Sequence, residues 1–171
     1  IVDVTAEREE AARARARERY LELMLDSTSE PICSIDTDNR CSYCNLATVR
    51  ELGFSSRADI IGHEMHSLVH HTRPDGTPYP ADECPLPQAA TKPEGIYVDS
   101  EWFIRADGSF FPVSCSSNPM VGEDGSVAGC VMTFRDITEE RRMRTELRRA
   151  ATVFEYAAEG IFIITAGLQA I

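Results

Sequence analysis

The sequence predicts an α+β fold: a five-stranded antiparallel sheet with short helices inserted between strands 2 and 3, flanked by N- and C-terminal helices. Three observations predict it. Two short apolar runs, residues 31–36 and 41–44, straddle the turn-forming Thr37-Asp38-Asn39-Arg40. Three longer runs, 96–105, 109–118 and 127–135, are separated by Asp107-Gly108 and Glu123-Asp124-Gly125, and Asp-Gly between apolar strands is a strong hairpin signal. Between these two groups lie capped, helix-length segments, and a charged helical pattern stands at each end.

The incoming arm, residues 5–26, mixes Glu and Arg over 6–22, the pattern of a solvated helix with charge pairs. After the first hairpin, Asn45 is placed to cap a helix over Leu46–Leu52 that Gly53 ends, and Ser56 to cap a shorter one reaching Ile61 and Gly62. The last three strands carry large residues on both alternating faces, with Trp102 beside Phe103, Phe111 beside Phe110, and Met132 and Phe134 beside Val131. A sheet with one wet face alternates more cleanly, so the inserted helices are expected over one face and a terminal helix or second subunit over the other. Residues 139–154 read as the clearest helix, with Asp136 or Thr138 as cap and Glu139 completing a capping box. Met143, Leu147, Ala150 and Phe154 follow at spacings of 4, 3 and 4, a coiled-coil seam, and the same register in the first arm brings up Ala14, Arg17, Leu21 and Met24. A parallel homodimer through the flanking helices is the expected assembly.

With 171 residues, 43% of them hydrophobic, the chain has enough apolar material for one cored domain. Its net charge of −11 disfavours nucleic acid and anionic membrane surfaces as partners, and no run approaches the ~18 apolar residues of a membrane span. Residues 27–138 hold sixteen acidic side chains against seven basic ones, an acidic body between mixed-charge arms. The six cysteines (33, 41, 44, 84, 115, 130) are spread through strand-like stretches rather than packed into a disulfide framework, which favours a reducing, cytoplasmic setting.

Two stretches recur. Asp3-Val4-Thr5-Ala6-Glu7-Arg8-Glu9 returns as Asp136-Ile137-Thr138-Glu139-Glu140-Arg141-Arg142, and Ser29-Glu30-Pro31-Ile32-Cys33-Ser34-Ile35 returns as Ala158-Glu159-Gly160-Ile161-Phe162-Ile163-Ile164. The spacing predicts a tandem array: residues 1–4 end one unit, 5–26 are a helical linker, 27–138 a complete unit, 139–152 a coiled-coil linker, and 153–171 the first strand of a following unit. The hairpin Pro31 to Asn45, the turn Arg105-Ala106-Asp107-Gly108-Ser109, and Thr133-Phe134-Arg135-Asp136-Ile137-Thr138 at the end of the last strand together resemble a bacterial PAS sensory domain with its Asp-Ile-Thr signature. That resemblance implies a bacterial signal-transduction module whose sheet cups a ligand pocket and whose terminal helix passes a state to neighbouring PAS units and an output domain. Relatives sit in histidine kinases of two-component systems or in cyclic-dinucleotide enzymes. Asp136 and Thr138 stand at the junction where such a signal would leave the sheet.

For a small organic ligand the expected wall is Trp102 or Phe103, Val113, Cys115, Met132 and Phe134 from the sheet, with Leu68 and Leu86 from the helices. A filled core, making the module a dimerising and transmitting spacer, is the alternative. A second alternative is a metal, haem or redox sensor built on the run His63 to His71. In helical form it puts His63, His66 and His70 on one face, with Cys84, Asp82 and Glu83 nearby, and His66, His70 and Cys84 are the candidate metal ligands. The zinc-protease spacing His-Glu-x-x-His is missed by one residue. Cys41-Ser42-Tyr43-Cys44 lacks the following His of covalent haem attachment, and in a regular strand its two thiols would face opposite ways. The resemblance also implies flavin and haem as cofactor candidates. The cysteine-bearing stretch of photoactive flavin relatives is absent, leaving non-covalent flavin, and residues 82–92, where haem-binding relatives place their ligand, contain no His. Nothing assembles a nucleophile, a base and an orienting group, so catalysis is expected of the parent chain and not of this segment.

Overall fold

Hairpins and caps build the architecture that the sequence predicts. The structure is a computed structural model describing residues 4–167, with side chains described over 7–155 except at 87, 90 and 91. The chain divides into two units at Asp136/Ile137. In the first, helix α1 (Val4–Asp26) leads into strands β1 (Ile32–Ile35) and β2 (Cys41–Cys44), then helix α2 (Leu46–Leu52) and helix α3 (Met65–Val69). Strands β3 (Ile96–Ile104), β4 (Phe110–Val121) and β5 (Val127–Asp136) complete an antiparallel sheet of order β2-β1-β5-β4-β3. A 3₁₀ turn at Arg57–Asp59 and a two-turn 3₁₀-helix at Leu86–Thr91 flank α3. The second unit is helix α4 (Thr138–Gly167).

Local chemistry accounts for each element. Asn45 caps α2 by accepting from the Thr48 N–H, Gly53 closes it at φ 73°, and Ser56 with Asp59 forms a capping box on the first 3₁₀ turn. The core lies between the inner sheet face and the inserted helices. Cys33, Phe103, Phe111, Val113, Met132 and Phe134 meet Leu52, Ile60 and Val69 there, all but inaccessible to solvent. Strands β1 and β5 approach closely at Gly129, where φ is 139° and a Cβ would stand 2.1 Å from the Ile35 carbonyl oxygen, so only glycine fits.

Two bulges decide which side chains face inward. Along β3 the pairing slips between Val98, opposite Cys115, and Glu101, opposite Val113. The inserted residue reverses the alternation, so Glu101 and Phe103 point to the core and Trp102, opposite Pro112, points to the other face. In β2, Tyr43 pairs with Ser34 but Cys41 with Ile35, so the thiols of Cys41 and Cys44 both lie buried although they are three residues apart. The expectation of opposite faces therefore fails for this strand. All six cysteines are free and buried.

One element departs from the expected array. Residues 158–164, expected to open a following unit with a strand, continue α4 as helix. The i→i−4 pattern satisfies that segment's backbone groups locally. Of residues 1–4, expected to end a preceding unit, 1–3 lie outside the described residues, as do 168–171, and Val4 is the first residue of α1. No helix among the described residues is long and apolar enough to cross a membrane.

Candidate functional site

Helix α3 and the long turn after it put polar side chains under the sheet. Glu64 caps α3, its carboxylate accepting from the N–H groups of His66 and Ser67 at 3.2 and 2.7 Å. That fixes His66 and His70, one helical turn apart, on the buried side. The turn Arg73–Thr77 closes through the Asp75 carboxylate, which accepts from the Thr77 N–H and hydroxyl, and the bridge Thr72 to Pro78 returns the chain across α3. Tyr79 and Cys84 thereby meet the histidines. The Tyr79 ring lies edge-on to His70 at 4.5 Å between centroids and is stacked from outside by the Arg73 guanidinium at 4.0 Å.

The ligand-type atoms of His66, His70 and Cys84 all lie within 4.8 Å of one another, and all three residues are buried. His66 Nε2 is 2.8 Å from the Tyr79 carbonyl oxygen, while its Nδ1 is buried with no partner among the described residues. His70 Nδ1 is 3.3 Å from Cys84 Sγ. Its Nε2 is 3.3 Å from Glu101 Oε1, an ion-pair separation outside hydrogen-bond alignment. Burial pushes the Glu101 carboxyl up, but the His70 ring, the Trp102 N–H and the Tyr79 hydroxyl outweigh it and hold it below its ordinary value. Burial pushes the Cys84 thiol up to about 11, with Glu101 and Glu64 adding to the effect. Burial, again with Glu101, pushes the Tyr79 phenol up to about 12.

A cavity of about 20 Å³ lies beside this cluster, lined by His66, His70, Cys84, Glu64, Phe103 and Met132 among others. It has the room of about one water molecule, whereas organic ligands occupy cavities of roughly 300–1,000 Å³. In this conformation a porphyrin, a flavin ring or a metabolite does not fit this cavity. Of the expected ligand wall, Phe103, Met132 and Leu86 line the cavity. Val113, Cys115 and Phe134 are packed into the core on the same face, and Leu68 borders a shallow surface depression with Phe54 and His71. Trp102 turns away because of the β3 bulge. His63 is exposed, as are Asp82 and Glu83, the latter paired with Arg73. Glu101 and Tyr79 escaped the sequence reading: Glu101 faces inward only because of the bulge, and Tyr79 sits in a proline-rich turn without periodicity.

A second polar cluster stands where the first unit ends. Arg105, just after β3, donates to the Asp136 carboxylate at 2.7 Å, the Glu51 carboxylate at 2.8 Å and the Glu51 carbonyl oxygen at 2.9 Å. Its guanidinium lies 3.7 Å over the Phe111 ring. Burial works against its charge and the two carboxylates more than compensate, so its pKa is raised. Asp136 is thus the last residue of β5 and an anchor for Arg105, while Thr138 opens α4, whose first turn closes by Arg141 N–H to the Ile137 carbonyl oxygen at 2.9 Å.

Residues 19–137 match the family profile described as the PAS fold. The chain belongs to the PAS family. Members are sensory, signal-transducing modules, and the antiparallel sheet with inserted helices is the PAS architecture. Among curated proteins this PAS chain is 27% identical over 132 residues to a probable diguanylate cyclase, DgcE, of Escherichia coli (strain K12). That match takes in 77% of the chain but only 12% of the relative's length. Solved structures with the same fold include the PAS domain of an HTR-like protein from Haloarcula marismortui (TM-score 0.58, 18% identity, 76% of this chain and 99% of that one). An RNA-binding light-oxygen-voltage receptor is similar as well (TM-score 0.63, 17% identity, 82% and 38%). At such identities these structures speak for the fold alone.

Proposed function

We propose that residues 27–138 are the input module of a multidomain signalling protein, with 139–152 as the linker that carries its state onward and 153–171 opening a further unit. The observation that carries this reading is the Arg105 cluster. One side chain joins the end of α2, the β3–β4 hairpin and the last residue of β5, and the next residues of the chain begin α4. A change in sheet geometry that shifts Arg105 would shift Asp136 with it, and a two-state module needs no larger device to bias an outgoing helix. The diguanylate cyclase relative supports a cyclic-dinucleotide output in the parent protein, with a histidine kinase as the other output class. Exposure of Leu21, Met24, Met143, Leu147, Ala150 and Phe154 supports a homodimer through the flanking helices.

The test is disulfide cross-linking. Cysteines placed singly at Met143, Leu147, Ala150 and Phe154 should cross-link efficiently between chains, and Arg105→Ala should redistribute the yields along the helix. An unchanged profile in a folded Arg105→Ala protein rejects the relay. The small cavity favours a second reading, a PAS spacer whose core is filled and which transmits without an organic ligand. A thermal midpoint that rises with any soluble metabolite would reject that second reading.

A further inference from the structure

We propose that His66, His70 and Cys84 form a binding site for a divalent transition-metal ion of the zinc class, with Glu101 and the Tyr79 carbonyl as its outer shell. Hydrogen-bond chemistry fixes the donor atoms. A carbonyl oxygen only accepts, so the His66 Nε2 that faces Tyr79 O at 2.8 Å carries the proton, and the unpartnered, buried Nδ1 holds the lone pair. His70 Nε2 stands 3.3 Å from the Glu101 carboxylate, whose charge favours the proton on that nitrogen, and in that tautomer Nδ1 presents a lone pair beside Cys84 Sγ at 3.3 Å. A ligand-type nitrogen of each ring and the sulfur lie within 4.8 Å of one another, and each ring has an oxygen at its other side, as metal-bound histidines generally do.

An ordinary hydrogen-bonded core explains less. The His70 to Cys84 contact pairs one nitrogen with the sulfur, but it leaves His66 Nδ1 buried without a partner among the described residues, a costly state for a polar atom. The donor set selects the ion: nitrogen and sulfur suit borderline and soft cations, whereas calcium and magnesium take oxygen. Binding replaces the Cys84 thiol proton, which leaves to solvent. One dication then offsets the charges of one thiolate and the Glu101 carboxylate, with Glu64 adding further negative potential at the cavity. The adjacent cavity has room for a water in the fourth position of a tetrahedron. Binding stands on these donors alone. Its use as an input signal rests on the relay reading, and follows because Glu101 lies on β3 four residues before Arg105.

The experiment is cobalt titration of the chelator-stripped 171-residue chain. One equivalent should give a thiolate-to-cobalt charge-transfer band that zinc then displaces. Cys84→Ser should abolish the band and Cys33→Ala keep it, while Glu101→Gln weakens binding by about 10–100-fold. The absence of a stoichiometric band in the unmodified chain, or its persistence in Cys84→Ser, overturns the proposal. If Cys84→Ser does not fold, X-ray absorption on the cobalt-loaded unmodified chain decides: sulfur and imidazole neighbours support the site, and a shell of oxygen and nitrogen without sulfur overturns it. The cross-linking profile of Arg105→Ala is read without metal, so failure of the relay and failure of the metal site are separate results.

Discussion

Asn45 shows how much one amide can hold. It is fully buried, and its oxygen accepts from the N–H of Thr48 and Ile32 and from the Thr48 hydroxyl. Its nitrogen donates to the carbonyls of Leu25 and Glu30 and to the Thr28 hydroxyl. The helix cap was readable from sequence, because capping is a local pattern. The links back to the end of α1 and the start of β1 were not, since they depend on chain folding across 13 to 20 residues. Asn45→Ala removes a cap and strands buried donors and acceptors, so it should destabilise the fold by about 3 kcal/mol. Urea unfolding measures this, and a loss below about 1 kcal/mol, the value of a cap alone, would show that the amide does not tie α1 to the sheet.

At the scale of elements, the incoming helix is fastened by charge. Asp26, the last residue of α1, pairs with Arg57 and also accepts from the Leu46 N–H at 3.0 Å, while Arg57 reaches Glu22 at 3.1 Å and the Cys44 carbonyl at 2.8 Å. Burial pushes the Asp26 carboxyl up, but Arg57 and the Leu46 N–H pull harder, leaving it below its ordinary 3.8. A group with a depressed folded pKa stabilises fully above its unfolded value and loses that contribution as pH falls through the folded one. The end of α1 should therefore stay fastened above pH 3.8 and loosen progressively below it. Hydrogen exchange at the Leu46 amide should report this, with Asp26→Asn exchanging fast at every pH. An Asp26→Asn protein with unaltered Leu46 protection would reject the anchor.

For the whole molecule, the outgoing helix exposes what a lone helix should not. Leu147 is 72% and Phe154 75% exposed, with Met143 on the same seam. Leu147→Asp should convert a dimer to monomer over the micromolar range. Removing two buried leucines costs about 1.5–3 kcal/mol each, a weakening of at least about a hundredfold. Light scattering across a dilution series checks it, with the off-seam Arg149→Ala unchanged, and an unaltered mass for Leu147→Asp would place the interface elsewhere.

Sequence by itself determined the order of elements from the first helix to the last strand, the caps at Asn45 and Ser56, and the Asp-Gly hairpin. Each is a pattern written within a few residues of backbone. The tertiary structure alone decided that Phe103 and not Trp102 faces the core, that Cys41 and Cys44 share a face, that Glu101 stands behind His70, and that Arg105 grips Asp136. A bulge adds one residue to one strand and reverses every side chain beyond it, and whether it forms depends on the pairing of strands that are distant in the chain.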